Sequence, residues 1–226
     1  MVVSDAFENM VWFEWIALCS LVVSLSAALL QCIWLIRLGK PEDMAPPAGK
    51  VSPAVLYAMT GAMNPAKKES AYLHLPTYVA GILYHMGTFL SISLFLLMWL
   101  YIPISGVMVI IMSSILSVTA ACGVGILVKR AMKKELRELS SPDDYISNSL
   151  VTLFQVGTLL TLSIPKILPA YFILTSILFL YLPLSKLKHV IYFFAARYHL
   201  GFFYGWRGVW PPGMRVSGCE SREVGK

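Results

Sequence analysis

The chain has 226 residues, of which 58% are hydrophobic and only 13% charged, with a formal net charge of +6 and a mean hydropathy of +0.71. A soluble globule carries about 25% charged residues, so the polar surface that a soluble enzyme needs is missing, and the composition implies an all-α polytopic membrane protein. The positive charge is what membrane topology and anionic headgroups ask for, and no nucleic-acid partner is expected.

The first ten residues, MVVSDAFENM, are acidic where a signal peptide needs a basic end, so the first apolar run is expected to stay in the mature protein. Apolar stretches of about 20 residues bounded by charge or proline predict five spans, at 15–36, 75–101, 104–128, 146–164 and 170–192. Short, nearly uncharged turns at Pro103, Ser105 and Gly106, and at Pro165 and Pro169, make hairpins of the second and third spans and of the fourth and fifth. The loop 37–72 contains PEDMAPPAGKVSP, too polar and proline-rich for a core, and then a possible short helix over 54–63. The tail 201–226 is rich in Gly, Trp and Arg. All of this reads as a single membrane domain, 1–226, forming a five-helix bundle.

With five spans, loop 37–72, the loop after the third span and the C-terminal region fall on one side. All but Lys166 of the 18 Lys and Arg residues then lie there. The positive-inside rule puts the N-terminus outside and the C-terminus in the cytoplasm. Cys19, Cys32, Cys122 and Cys219 show no C-x-x-C or metal-ligand spacing, so neither a disulfide nor an iron–sulfur cluster is expected in this chain.

The chemistry lies in the histidines. An ionisable residue inside a bilayer is costly and marks function by default. All four histidines lie on two spans: His74 and His85 on the second, His189 and His199 on the fifth and its extension. At about 100° per residue, His74 and His85 share a face about 16 Å apart, while His189 and His199 are offset by about 80° over roughly 15 Å. The two spans run in opposite directions, so His85 is expected to face His189 and His74 to face His199. Imidazoles from facing helices aimed at a common point are what bis-histidyl haem iron requires. Zinc fits less well, because it wants four ligands in one cluster.

Glycines suit a flat macrocycle between helices: Gly81 and Gly87 beside His85, with Gly123, Gly125 and Gly157 on neighbouring spans. Lys186 and Arg197, with Lys188, Arg130 and Lys68, are candidates to pair with haem propionates. A quinone site needs polar partners in an apolar cleft, and Glu14, Gln31 and Gln155 are the intramembrane candidates, with Tyr101 and Lys166 at the outer edge.

At Leu83-Tyr84-His85-Met86-Gly87 and Pro183-Leu184-Ser185-Lys186-Leu187-Lys188-His189, the chain resembles the gamma subunit of respiratory nitrate reductase and the membrane cytochromes b of heterodisulfide reductase and dissimilatory sulfite-reduction complexes. The family pattern is Leu-aromatic-His-x-Gly on the second helix and Pro-Phe-Ser-basic-Leu-x-His on the fifth. The resemblance covers essentially the whole chain and makes His85 and His189 the axial ligands of the haem nearer an iron–sulfur subunit. Two-haem nitrate reductase subunits carry two further histidines at positions that here are Phe95 and Tyr171, which argues against that outer haem. His74 and His199 then read either as an inward-shifted second pair or as residues exchanging roles in a single-haem subunit.

The resemblance implies a haem b subunit with at least one haem, and the histidine spacing favours two, in a prokaryotic cytoplasmic (inner) membrane. It would pass electrons between menaquinone or ubiquinone in the membrane pool and a cytoplasmic iron–sulfur subunit of a larger respiratory complex. The chain alone has no complete active site, and the haem carries the chemistry. The competing reading is a small transporter or proton-conducting subunit with a histidine relay; no inverted repeat in the sequence favours it.

Overall fold

Uniformly apolar runs form helices in lipid because no water is present to satisfy backbone N–H and C=O groups, which must then pair within the segment. The computed structural model describes residues 11–38, 44–64 and 75–213. The described residues are all helical, without a strand among them: α1 (Trp12–Leu38), α2 (Val51–Met59), α3 (Leu75–Trp99), α4 (Gly106–Met132), α5 (Lys134–Glu138), α6 (Pro142–Ser163), α7 (Leu168–Tyr181) and α8 (His189–Trp206). Four of these, α1, α3, α4 and α6, are long and apolar enough to cross a membrane, and a fifth crossing is available if α7 and α8 are counted as one broken span.

The first four predicted spans thus match α1, α3, α4 and α6 to within a few residues at each end. The fifth does not hold as drawn. A single helix over 170–192 is replaced by α7, a break at 182–188 and α8. Pro183 lacks the N–H that would continue the ladder, and it disfavours helical geometry at Leu182. The break is then finished locally: Ser185 is buried, and its Oγ accepts the N–H of Leu187 at 3.1 Å. At 14 residues α7 is about 21 Å long, short of a hydrocarbon core of about 30 Å. The possible helix over 54–63 is present as α2 followed by a 3-10 turn at Gly61–Met63. Residue 201, where the tail was expected to begin, lies inside α8.

The chain divides into two compact units, 1–27 with 72–188, and 28–71 with 189–226. In the first, α3 packs on α4, α4 on α6, and α6 on both α3 and α7. Lipid tails are as apolar as leucine, so shape and interhelical hydrogen bonds hold these helices together, and small residues let them approach. A Cβ on Gly123 would lie 2.5 Å from the Tyr84 ring and 2.7 Å from Thr152 Oγ1. Aromatic rings fill the centre. Phe154 stacks on Tyr171 with centroids 5.8 Å apart and planes 5° apart, and Phe95 meets Phe172 and Phe179 at 5.4 Å each. Each such pair contributes about 0.5–1.5 kcal/mol beyond burial.

In the second unit α2 lies against α8. Gly201 and Gly205, one turn apart, present bare backbone to it: a Cβ on Gly201 would fall 2.5 Å from Val55 Cα, and one on Gly205 2.6 Å from Ala54 Cβ. Ala54 and Ala58, also one turn apart, are completely buried. The chain before α2 is pinned to the end of α8, with Ala48 N donating to Trp206 O at 2.7 Å and Trp206 Nε1 to Ala45 O at 2.8 Å.

Candidate functional site

His85 stands near the middle of α3, on a face it shares with Ile82, Met86 and Phe89, all exposed. Gly81, one turn earlier on that face, has nothing within 4 Å of the place a Cβ would take. Gly87, expected to play the same part, faces the opposite way. It is buried, and a Cβ there would meet Thr119 Oγ1 at 2.1 Å and Gln155 Oε1 at 2.8 Å. Gly87 therefore serves helix contact, and Gly81 alone leaves room for a flat group against the helix carrying His85.

His74 lies outside the described residues. His189 opens α8 and is exposed. His199, farther along α8, is half-buried beside a cavity of about 380 Å³ walled by Leu35, Leu38, Tyr192 and Ala195. Its Nε2 lies 3.2 Å from the carbonyl oxygen of Leu35. That carbonyl is among the last four of α1, which have no intrahelical donor. A carbonyl only accepts, so Nε2 carries the proton and donates. The other ring nitrogen, Nδ1, is buried without a hydrogen-bond partner among the described residues. His199 thus already serves a helix end with one nitrogen.

The expected propionate partners are placed as follows. Lys186 is held by the start of α6: its Nζ donates to Asp144 Oδ2 at 2.6 Å, and its backbone N–H donates to Asp143 Oδ2 at 2.7 Å. Asp143 also accepts the phenol of Tyr181. Asp144 in turn accepts the N–H of Ser141 at 2.8 Å and pairs with Arg130 at 3.4 Å. These contacts clamp the 182–188 break to α6, a role the sequence reading missed although Ser141-Pro142-Asp143-Asp144 is a legible helix start. Arg197 lies over the ring of Phe193, 5.6 Å from its centroid.

Of the quinone candidates, Glu14 is 2% exposed. Its two carboxylate oxygens accept the Tyr101 phenol at 2.8 and 2.7 Å, and Oε2 accepts the N–H of Val11 at 2.9 Å. Tyr101 reaches it from the turn after α3, with φ at 55°. Gln155 is completely buried. Its Nε2 donates to Tyr84 O and Thr88 Oγ1, both at 2.9 Å, and its Oε1 has no partner. Lys166 is exposed and Gln31 half-buried. Phe95 and Tyr171, where two-haem relatives would carry histidine, face each other with centroids 6.4 Å apart and are buried in the aromatic core.

Of the residues expected around a haem, His85 and Gly81 share an exposed face of α3, the space beside Gly87 is taken by Thr119 and Gln155, and Lys186 is bound to Asp144. Among the described residues no group of three or more His, Cys, Asp or Glu is gathered for a metal ion, and bis-histidyl ligation asks for only two side chains.

Fold and site together define a class: an all-helical chain with four or five apolar helices long enough to span a membrane, with a histidine on an open helix face. Comparison with protein-family models, with characterised proteins and with solved structures finds no match to the chain.

Proposed function

We propose that this chain is a haem b subunit of a quinone-linked respiratory complex in a prokaryotic cytoplasmic membrane. It spans the membrane five times, with the N-terminus outside and the C-terminus in the cytoplasm, and passes electrons between menaquinone or ubiquinone and a cytoplasmic iron–sulfur partner. The reading rests on one observation: His85 and Gly81 share an open face in the middle of a membrane-length helix. A ligand nitrogen with a bare backbone one turn away is what a macrocycle lying against a helix requires.

His85 and His189 are the axial pair in this reading. The bound haem supplies one-electron chemistry. The chain would supply two imidazoles, an apolar surround at Ile82, Met86 and Phe89, and Arg197 for a propionate. The reading takes the one haem that the resemblance requires instead of the two expected from histidine spacing; with Nε2–H donated to Leu35, Nδ1 is the ring nitrogen His199 keeps for any ligand role. The quinone is best matched to Glu14 and Tyr101, a carboxylate and a phenol able to exchange a proton at Glu14 Oε1 or Oε2.

The test is a dithionite-reduced minus oxidised spectrum of the full chain expressed with haem supply, combined with a pyridine haemochrome assay. One b haem per chain is expected, lost in His85→Ala and in His189→Ala and retained in His199→Leu. Gly81→Leu should lower haem content while leaving far-UV circular dichroism unchanged. A folded preparation without haem overturns the proposal.

A further inference from the structure

The polar end of α4 carries a cavity that the histidine site does not use. It is a half-open pocket of about 470 Å³ between the start of α3, the end of α4 and α5. Lys129, Arg130 and Lys133 supply three cations to its lining, against one carboxylate, Glu135. Lys129 is steadied at the rim by a hydrogen bond from Nζ to Thr77 Oγ1. Lys133 has no ion-pair partner among the described residues. Arg130 spends Nη1 on Asp144 at 3.4 Å and on Ser140 Oγ at 3.1 Å.

Three cations against one carboxylate leave the lining with a net positive charge, which an anionic oxygen in the cavity would balance. The remaining wall identifies the kind of anion. Ile126, Leu136 and Leu139 line the same cavity, and Leu139 is 83% exposed. An inorganic anion has no use for that apolar wall, whereas an acyl chain covers it. Basic residues at helix ends commonly reach for bulk headgroups. Here they line a half-open pocket together with three apolar side chains, and basic pockets between membrane helices are where anionic headgroups bind.

We infer that the cavity between α3, α4 and α5 is a binding site for the phosphodiester of an anionic phospholipid, held by Lys129, Arg130 and Lys133, with an acyl chain along Ile126, Leu136 and Leu139. The site is independent of the haem reading and stands or falls separately from it.

Thermal unfolding of the full chain in a neutral detergent, titrated with phosphatidylglycerol, phosphatidylcholine or inorganic phosphate, tests it, with native mass spectrometry counting retained lipid. Phosphatidylglycerol is expected to raise the midpoint saturably and to survive as one bound molecule, with phosphatidylcholine and inorganic phosphate inert. In Lys133→Gln, and more so in Lys129→Gln/Lys133→Gln, the half-saturating lipid concentration should rise roughly tenfold or more, the loss expected for a charge-assisted hydrogen bond. Lys133 is exposed and outside any ion pair, so its variant keeps the fold. An equal response to phosphatidylcholine, or an unchanged titration in the double variant, overturns the site. The same shift with inorganic phosphate alone overturns the lipid as its occupant.

Discussion

Replacing Gly87 by alanine adds one methyl group to the interior of α3, and the neighbours of that position set the cost. The new Cβ would lie 2.1 Å from Thr119 Oγ1, 2.4 Å from Thr119 Cβ and 2.8 Å from Gln155 Oε1, where ordinary contact begins near 3.4 Å. Thr119 has no flexible end to swing aside. Its hydroxyl donates to the Leu116 carbonyl at 3.1 Å, and its Cβ is nearly as close as its oxygen, so α4 must withdraw. Overpacking of this kind costs about 1–3 kcal/mol. Gln155, pushed at its carbonyl end, also loses alignment in two hydrogen bonds to α3, each worth about 0.6 kcal/mol in a bilayer. Against this stands the helix preference of alanine over glycine, about 1 kcal/mol. The expected net loss is about 1–3 kcal/mol. Reversible unfolding of the full chain in mixed micelles, driven by dodecyl sulfate and followed by circular dichroism, measures it. Gly125→Ala is the internal control: nothing lies within 4 Å of its Cβ position, so it should gain up to about 1 kcal/mol. Equal stabilities for the two variants would refute the reasoning.

Gly205→Leu should separate α2 from α8, since its Cβ would already sit 2.6 Å from Ala54 Cβ and 3.0 Å from Val51 Cα. An overpacking cost of about 1–3 kcal/mol raises the open population roughly 5- to 150-fold. Limited proteolysis within 44–64 should accelerate accordingly, and an unchanged cleavage rate would count against the packing described. At the clamp, the Lys186–Asp144 pair is partly solvated, with side chains 52% and 15% exposed. A Lys186→Met/Asp144→Asn cycle should therefore give a coupling below about 1 kcal/mol that shrinks in about 0.5 M salt. Asp143→Ala should cost more, about 1–3 kcal/mol, because it removes the acceptor of two hydrogen bonds, from the Lys186 N–H and the Tyr181 phenol, each worth about 0.5–1.5 kcal/mol net; the reverse ranking would show that the charge pair holds the break.

Four spans were legible because each is a long apolar run ended by charge or a turn, and length and hydropathy suffice for that. The fifth was drawn across residues 182–188 because leucines carry the apolar run through Pro183. What stabilises the break, Asp143 and Asp144, lies about 40 residues upstream, and no local window joins them. Within the candidate site the histidines could be picked out by residue type alone. Gly81 and Gly87 were grouped together, yet six residues at about 100° each put them roughly 120° apart on the helix, enough to anticipate that one faces space and the other α4. The i, i+4 small-residue pairs at 201 and 205 and at 54 and 58 were also readable. They were missed because one lay in a presumed tail and the other in a presumed loop.

The pairing of α2 with α8 has a consequence for the order of synthesis. Val55 and Gly201, whose backbones meet, are 146 positions apart in the sequence. At a translation rate of about 5–20 residues per second, α2 waits on the order of ten seconds for its partner. All of the first unit, which ends at residue 188, has been synthesised before the surface that receives Ala54 and Ala58 exists. The second unit is thus closed last, and a nascent chain arrested before residue 201 would carry α2 as an uncovered apolar helix.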